Sequence, residues 1–341
     1  MKNINKFNKY KNINKLKRTA ALAMVCALGA AAALTGCQKK EQEVVIYTNA
    51  DDEAIEAMKN ALDGNGYEGK YILQSFGTSE LGGKLLAEGT NIEADLVTMS
   101  SFYLDSAQET NQMFRDLTFE TKPLTEYPSF YTPITAQEGA ILVNTEVLKE
   151  SNLPAPACLK DLADPVYAGL VSVTDIRSSS TAWLLMQALV SAYGEDGAAE
   201  VLAGIYKNAG DHIESSGSAP LKKVRAGEVA VGFGLRHQAV ADKADGLPVD
   251  YVDPPEGNFS LTESVAVVEK GDKSNPLAME MAECIIKNGR QELLQTYPLP
   301  VYEGESSDSA NKSAYPMVFP EKLTVSLLEK HQEISERAKE Q

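Results

Sequence analysis

Val44-Val45-Ile46-Tyr47-Thr48-Asn49-Ala50-Asp51, running on into Glu53-Ala54-Ile55-Glu56-Ala57-Met58-Lys59-Asn60-Ala61-Leu62, decides how the rest of the chain is read. Its first five residues are β-branched or aromatic, the composition of a strand. Beyond the corner at 49–51, apolar residues recur at 54, 55, 58, 61 and 62, the spacing of one helical face. Strand, corner and helix then repeat. Segment 71–76 reads as a strand and 81–88 as a helix, 95–99 as a strand and 102–113 as a helix. Short apolar runs follow at 140–143, 170–173 and 229–233, the last two separated by helical patterns at 181–192 and 197–207. The polar stretch 303–313 reads as a surface loop, and 321–341 as a charged amphipathic helix. Such alternation through short loops predicts an α/β fold with largely parallel sheets.

The chain has 341 residues, more than the ~150 of a common domain, so two domains or one large one are expected. With 43% hydrophobic and 23% charged residues, collagen-like, low-complexity and mostly disordered chains are excluded. A mean hydropathy of −0.23 and a single strongly apolar stretch exclude a polytopic membrane protein. The net charge is −16, and it is unevenly spread. Residues 1–36 carry seven basic residues and no acid, leaving −23 on the remainder. Such a body repels nucleic acid and anionic lipid at long range, which excludes both as main partners. A small anionic ligand survives the argument, because a local pocket of donors can oppose the global field.

The N-terminus reads as an address. A basic run to Arg18 is followed by sixteen uncharged residues, 19–34, and by Leu34-Thr35-Gly36-Cys37. This is the pattern of a secretory signal, and its apolar part is short for a membrane span of ~20 residues. Leu-Thr-Gly-Cys resembles the bacterial lipobox, so residues 1–36 are expected to be a signal peptide, Cys37 the lipidation site and 37–43 a tether. The expected location is outside the cytoplasm, lipid-anchored to the outer face of the cell membrane. Cys26 leaves with the signal, and Cys158 and Cys284 remain. They are too few for a disulfide framework or a metal cluster, and whether they pair stays open. Cys284 lies on the apolar face of a helical pattern with Met281 and Ile285, as a buried thiol would. The three histidines, 212, 237 and 331, have no zinc-ligand spacing.

In open α/β sheets ligands sit beyond the carboxyl ends of strands. The corners there hold Thr48, Asn49 and Asp51; Thr78 and Ser79; Ser100 and Ser101; Asp175 with Ser178, Ser179, Ser180 and Thr181; Ser215, Ser216, Gly217 and Ser218; and Arg236 with His237. Ser, Thr, Asn and Asp are preferred helix N-caps, so one such corner needs no ligand. Five together, with four consecutive hydroxyls at 178–181, point to a shared anion site at helix starts. Arg236 is placed to clamp an anion bidentately. A Gly-x-x-x-x-Gly-Lys-Ser/Thr loop, a Gly-x-Gly-x-x-Gly after a strand, a His-Glu-x-x-His pair and a Gly-x-Ser-x-Gly elbow do not occur in the sequence.

These segments resemble the extracellular solute-binding lipoproteins of bacterial ABC importers, in the ferric-iron-binding-protein-like group. That group also includes binders of 2-aminoethylphosphonate and of sugar phosphates. The resemblance rests on Val45-Ile46-Tyr47-Thr48-Asn49, on Gly77-Thr78-Ser79-Glu80-Leu81 leading to Lys84-Leu85-Leu86-Ala87-Glu88-Gly89, and on Ala94-Asp95-Leu96. Leu159–Gly169, Val224–Gly232 and Glu256-Gly257 extend it through almost the whole chain after the tether. It implies a two-lobed periplasmic-binding-protein type II fold, each lobe a mixed, mostly parallel sheet flanked by helices. Lobe one would comprise 44–139 and 251–341, and lobe two 140–250, with strand crossings near 139–144 and 249–256.

The resemblance further implies a non-enzymatic receptor that closes on a solute and presents it to membrane permease subunits, as a monomer without cofactor. The iron binders carry a Tyr-Tyr pair where His237 and Gln238 stand here, and their other ligand positions approximate to Asp51 and Ser100. Ferric iron wants phenolate and carboxylate oxygen, so no metal site is expected. The expected solute is a small phosphorylated or phosphonate compound, 2-aminoethylphosphonate or a sugar phosphate. Thr78, Ser79, Ser100, Ser101 and Ser178–Thr181 would hold its phosphoryl oxygens, with Arg236 and His237 adding charge or reading the remainder. Asp51 and Glu263 would accept from its amine or sugar hydroxyls. The alternatives are a ferric or other metal receptor of the same fold, and a secreted enzyme or adhesive lipoprotein.

Overall fold

The computed structural model describes residues 42–341. The expected signal peptide, its expected cleavage site and Cys37 lie outside them. The opening stretch forms as read: β1 (Val44–Thr48) leads into the helix Asp52–Leu62, β2 (Tyr71–Ser75) into Thr78–Glu88, and β3 (Leu96–Ser100) into Ser101–Asn111. β1 pairs in parallel with both β2 and β3. Because side chains alternate across a strand, β1 serves two cores. Val44 and Ile46 pack with the helices Asp52–Leu62 and Pro276–Cys284, whereas Val45 and Tyr47 face the opposite layer with Leu81, Leu85 and Phe102.

After β4 (Phe114–Arg115) comes the strand that joins the molecule, β5 (Tyr131–Asn144), fourteen residues long. Three further strands follow: β6 (Val171–Thr174), β7 (Ile213–Glu214) and β8 (Val231–Leu235). Then come β9 (Val249–Val252), β10 (Asn258–Val268) and β11 (Pro316–Met317). The sheet order is β2-β1-β3-β10-β5-β8-β6-β7, with β4 and β11 paired to β10 and β9 to β5. β5 pairs with β10 over its first half and with β8 and β9 over its second, where Gly139 stands opposite Leu235. All these β5 and β10 ladders are antiparallel, except β10–β11, while β6 runs parallel to β7 and β8. The architecture is a mixed α/β type II periplasmic-binding-protein fold.

The sequence showed only 140–143 of β5, and nothing of β10. The helical patterns 181–192 and 197–207 form one element, Thr181–Ala209, broken at Gly194, whose φ of +69° a side chain would disfavour. The terminal helix, Val325–Lys339, is capped by the Thr324 hydroxyl, which accepts from Leu327 N at 3.1 Å. It packs on Thr181–Ala209, where Trp183 Nε1 donates to His331 Nδ1 at 2.7 Å. Cys158 and Cys284 are free thiols, the second buried.

Candidate functional site

Four strand ends and four helix starts enclose a cavity of about 420 Å³. Asn49, Asp51, Thr78, Ser178, Ser179, Ser180, Thr181 and Glu263 line it, together with Ser215, Ser216, Gly217, Ser218 and Lys222. The corners after β2 and β6 approach closely: a Cβ on Gly77 would stand 3.8 Å from the Ser178 carbonyl oxygen.

On the β1 side, Thr48 is fully buried beneath the cavity. Its Oγ1 accepts from Ala50 N at 3.0 Å and from Thr98 Oγ1 at 2.7 Å, which fixes the turn out of the strand. Asn49 Nδ2 donates to Thr78 Oγ1 at 3.0 Å, and Asn49 Oδ1 has no partner among the described residues. Asp51 precedes the helix Asp52–Leu62 without capping it. Burial, with Glu53 adding to it and Lys222 opposing, pushes its carboxyl up to about 6.

Glu263 sits on β10 opposite Ser100 of β3, at a bulge where the β5 register shifts. Ser100 Oγ donates to Glu263 Oε1 at 2.7 Å, while Oε2 is buried without a partner. Burial, reinforced by the charge of Asp51 and opposed by hydrogen bonds from Ser100 and Asn49, pushes this carboxyl up to about 8. It is therefore protonated at neutral pH in the unliganded protein. Tyr297 closes the same end of the cavity, and burial raises its hydroxyl pKa.

On the far side, Thr174 ends β6 and the chain turns through Asp175, which accepts from Arg177 N at 2.7 Å. The turn presents Ser178, Ser179 and Ser180 before the helix begins at Thr181. Thr181 and Ser179 are only 4% and 8% exposed. The neighbouring corner packs on them so tightly that a Cβ on Gly217 would lie 2.3 Å from Thr181 Oγ1. Lys222 follows on the helix Ala219–Arg225, and is the one cationic side chain among the described residues lining the cavity.

The remaining residues singled out from sequence stand elsewhere. Ser79 does not line the cavity, and its hydroxyl is engaged with Tyr103. Ser101 Oγ is spent on Thr262 and Ser264 of β10. Ser100 acts through Glu263 rather than facing the cavity itself. Arg236 is buried and bound bidentately to Asp253, at 2.7 and 3.1 Å, and it also donates to the Ala310 and Lys312 carbonyls. Its guanidinium is thus consumed in joining β8, the β9–β10 connection and the 308–314 loop. His237 lines an adjoining cavity of about 450 Å³, which shares Glu53, Ser218 and Lys222 with the first. Burial pushes its imidazole down to about 3, so it adds no charge.

Lys222, Ser215, Ser216, Ser218, Thr135, Gln137 and Tyr297 line the cavity without having been assigned to it from sequence. The serines at 215–218 were legible as a hydroxyl corner. Lys222 was not, because a lysine beside Lys223 and Arg225 on a short helix reads as solvated surface.

The model of the bacterial extracellular solute-binding protein family matches residues 94–320. The chain belongs to that family. Its members of this kind serve ABC-type importers outside the cytoplasmic membrane, binding a small solute and presenting it to permease subunits. A protein of Haemophilus influenzae is 25% identical over 292 residues, 82% of each chain, and is described only as uncharacterized. Two solved structures share the fold of this solute-binding protein. The periplasmic binding protein AfuA of Actinobacillus pleuropneumoniae, with fructose-6-phosphate bound, superposes with a TM-score of 0.65 at 21% identity, covering 88% of this chain and 97% of that one. Iron-bound HitA of Pseudomonas aeruginosa gives 0.69 at 19% identity, covering 87% and 99%. Among the described residues, no three His, Cys, Asp or Glu side chains stand together as a group that could hold a metal ion.

Proposed function

We propose that this solute-binding protein captures a small phosphorylated or phosphonate solute for import. One observation carries the reading. The hydroxyls of Ser178, Ser179, Ser180 and Thr181 and those of Ser215, Ser216 and Ser218 share one cavity with Lys222, which among the described residues makes no ion pair. Hydroxyl donors and a helix start beside an unpaired cation match the charge and the several acceptor oxygens of a phosphoryl group. Thr78, at the start of the helix Thr78–Glu88, adds a further hydroxyl on the β2 side. AfuA holds a sugar phosphate on the same fold.

In this reading residues 44–139 and 251–341 form one lobe and 140–250 the other. β5 and the β9–β10 connection act as the hinge, and closure traps the solute. The receptor works as a monomer, anchored through a lipid on Cys37. Calorimetric titration of protein beginning at Gln38, stripped of ligand by unfolding and refolding, tests the solute class. Binding of an organophosphate or phosphonate, but not of ferric citrate, supports it, and binding of ferric iron alone overturns it.

A further inference from the structure

We infer that His237 is a positioning residue for solute capture, its ring clasping Tyr297 across the two lobes so that the walls of the solute cavity stay face to face. The inference rests on the two-lobe reading and goes beyond it. His237 stands on the first turn of the helix Arg236–Ala244, in one lobe, and Tyr297 follows the helix Arg290–Thr296, in the other. Their ring centroids are 4.8 Å apart, with an interplanar angle of 49°. Both residues are buried, His237 at 7% exposure and Tyr297 at 1%.

Tyr297 lines the solute cavity and His237 does not, so His237 acts on a solute through Tyr297. The Tyr297 hydroxyl accepts from Ala54 N in the helix after β1, which fixes the ring to the wall carrying Asn49 and Asp51. The cavity of about 450 Å³ beside His237 draws one wall from residues 218–244 and the other from Gln295, Thr296 and Pro298. Rotation of the lobes therefore exposes both rings to water, and their contact opposes it. His237 Nε2 is buried without a partner among the described residues. Packing on Tyr297, rather than a hydrogen bond at that nitrogen, seats the ring.

The same burial makes the clasp sensitive to acid. Besides Tyr297, the titratable and charged groups around His237 are Lys222 and Arg225 from the helix Ala219–Arg225, Asp242 from its own helix, Glu53 from the helix after β1, and Asp308. Arg225 and Asp242 are paired with each other at 2.8 Å. Burial holds the imidazole down to about 3, against 6.5 for the ordinary group that opening restores. The closed arrangement thus binds fewer protons, and falling pH favours the open one, by about thirtyfold at pH 5.

The experiment measures the distance between spin labels at Lys59→Cys and Lys207→Cys, exposed positions in the two lobes, on protein beginning at Gln38 and carrying Cys158→Ser. Wild type, His237→Ala and His237→Phe are compared without solute at pH 7.5 and pH 5, with melting curves to check folding. At pH 7.5 His237→Ala should lower the ratio of closed to open populations at least about tenfold, while His237→Phe, which keeps a ring, should stay within about threefold of wild type. On acidification wild type should lose about thirtyfold of that ratio relative to His237→Phe, since Asp51 and Glu263 titrate in both and cancel. If His237→Ala does not fold, the acid comparison with His237→Phe decides alone. Two populations whose ratio His237→Ala leaves unchanged, or an equal acid response in wild type and His237→Phe, overturn the clasp and leave the two lobes standing. One narrow population in every protein at both pH values overturns the hinge reading, and the clasp with it.

Discussion

Glu263 shows how one position joins register, burial and chemistry. β10 pairs it with Ser100 on one flank, and the bulge before Ser264 turns it toward the cavity from a strand otherwise packed on both sides. Folding raises its carboxyl from 4.5 to about 8, so the folded chain holds the proton more tightly than the unfolded one. Its stabilising contribution is complete below pH 4.5 and is lost as pH rises through 8. His331, depressed from 6.5 to about 4, and His237, depressed to about 3, work in the opposite direction, an effect that fades as pH rises above 6.5. Between pH 6.5 and 8 the unliganded protein should therefore lose up to about 1.4 kcal/mol per pH unit, measured by urea unfolding. Glu263→Gln should flatten that slope.

The hydroxyl corner makes its own prediction. Ser179→Ala combined with Thr181→Ala should weaken solute binding at least tenfold, about 1.4 kcal/mol, in a titration. Gly217→Ala should do the same by displacing Thr181, since the added methyl would stand 2.3 Å from its hydroxyl.

Among the elements, those legible in the sequence were amphipathic or bounded by corners: β1, β2, β3 and the helices after them. β5 and β10 escaped because they are buried on both faces yet carry polar residues, so neither alternation nor an apolar run marks them. Thr132, Thr135 and Glu138 are all buried within β5; Thr132 shares a hydrogen with Tyr302 Oη at 2.8 Å, and Glu138 accepts from Ser313 at 3.1 Å. Such pairings depend on residues about 170 positions away, which local periodicity does not report. The same limit explains the candidate site. The serines at 178–181 stood out as a corner, whereas the roles of Arg236 and Lys222 depend on partners present or missing in space.

Arg236 belongs to this scale. It ties the start of the helix Arg236–Ala244 to Asp253 and to the 308–314 loop. Arg236→Ala leaves Asp253, 12% exposed, without its cation. A loss of about 3–5 kcal/mol in unfolding free energy is expected. Trp183→Phe should cost about 1–3 kcal/mol, because His331 Nδ1 then lies buried without its donor at the packing of Val325–Lys339 on Thr181–Ala209.

At the scale of the molecule, the negative body and its cation-poor cavity suit a receptor that selects by local donors rather than by long-range attraction. With β5 and the β9–β10 connection as the proposed hinge, solute binding should reduce the radius of gyration in solution scattering. Arg236→Ala should blunt that change by loosening the hinge. The central claim is the solute class, and a thermal-shift panel on stripped protein tests it most directly. Ligand at about 100 times its dissociation constant adds ~2.7 kcal/mol of stability, a rise of a few degrees. The account predicts that rise with a small organophosphate or phosphonate and none with ferric citrate. A rise with ferric citrate alone, or with no phosphoryl compound, would contradict it.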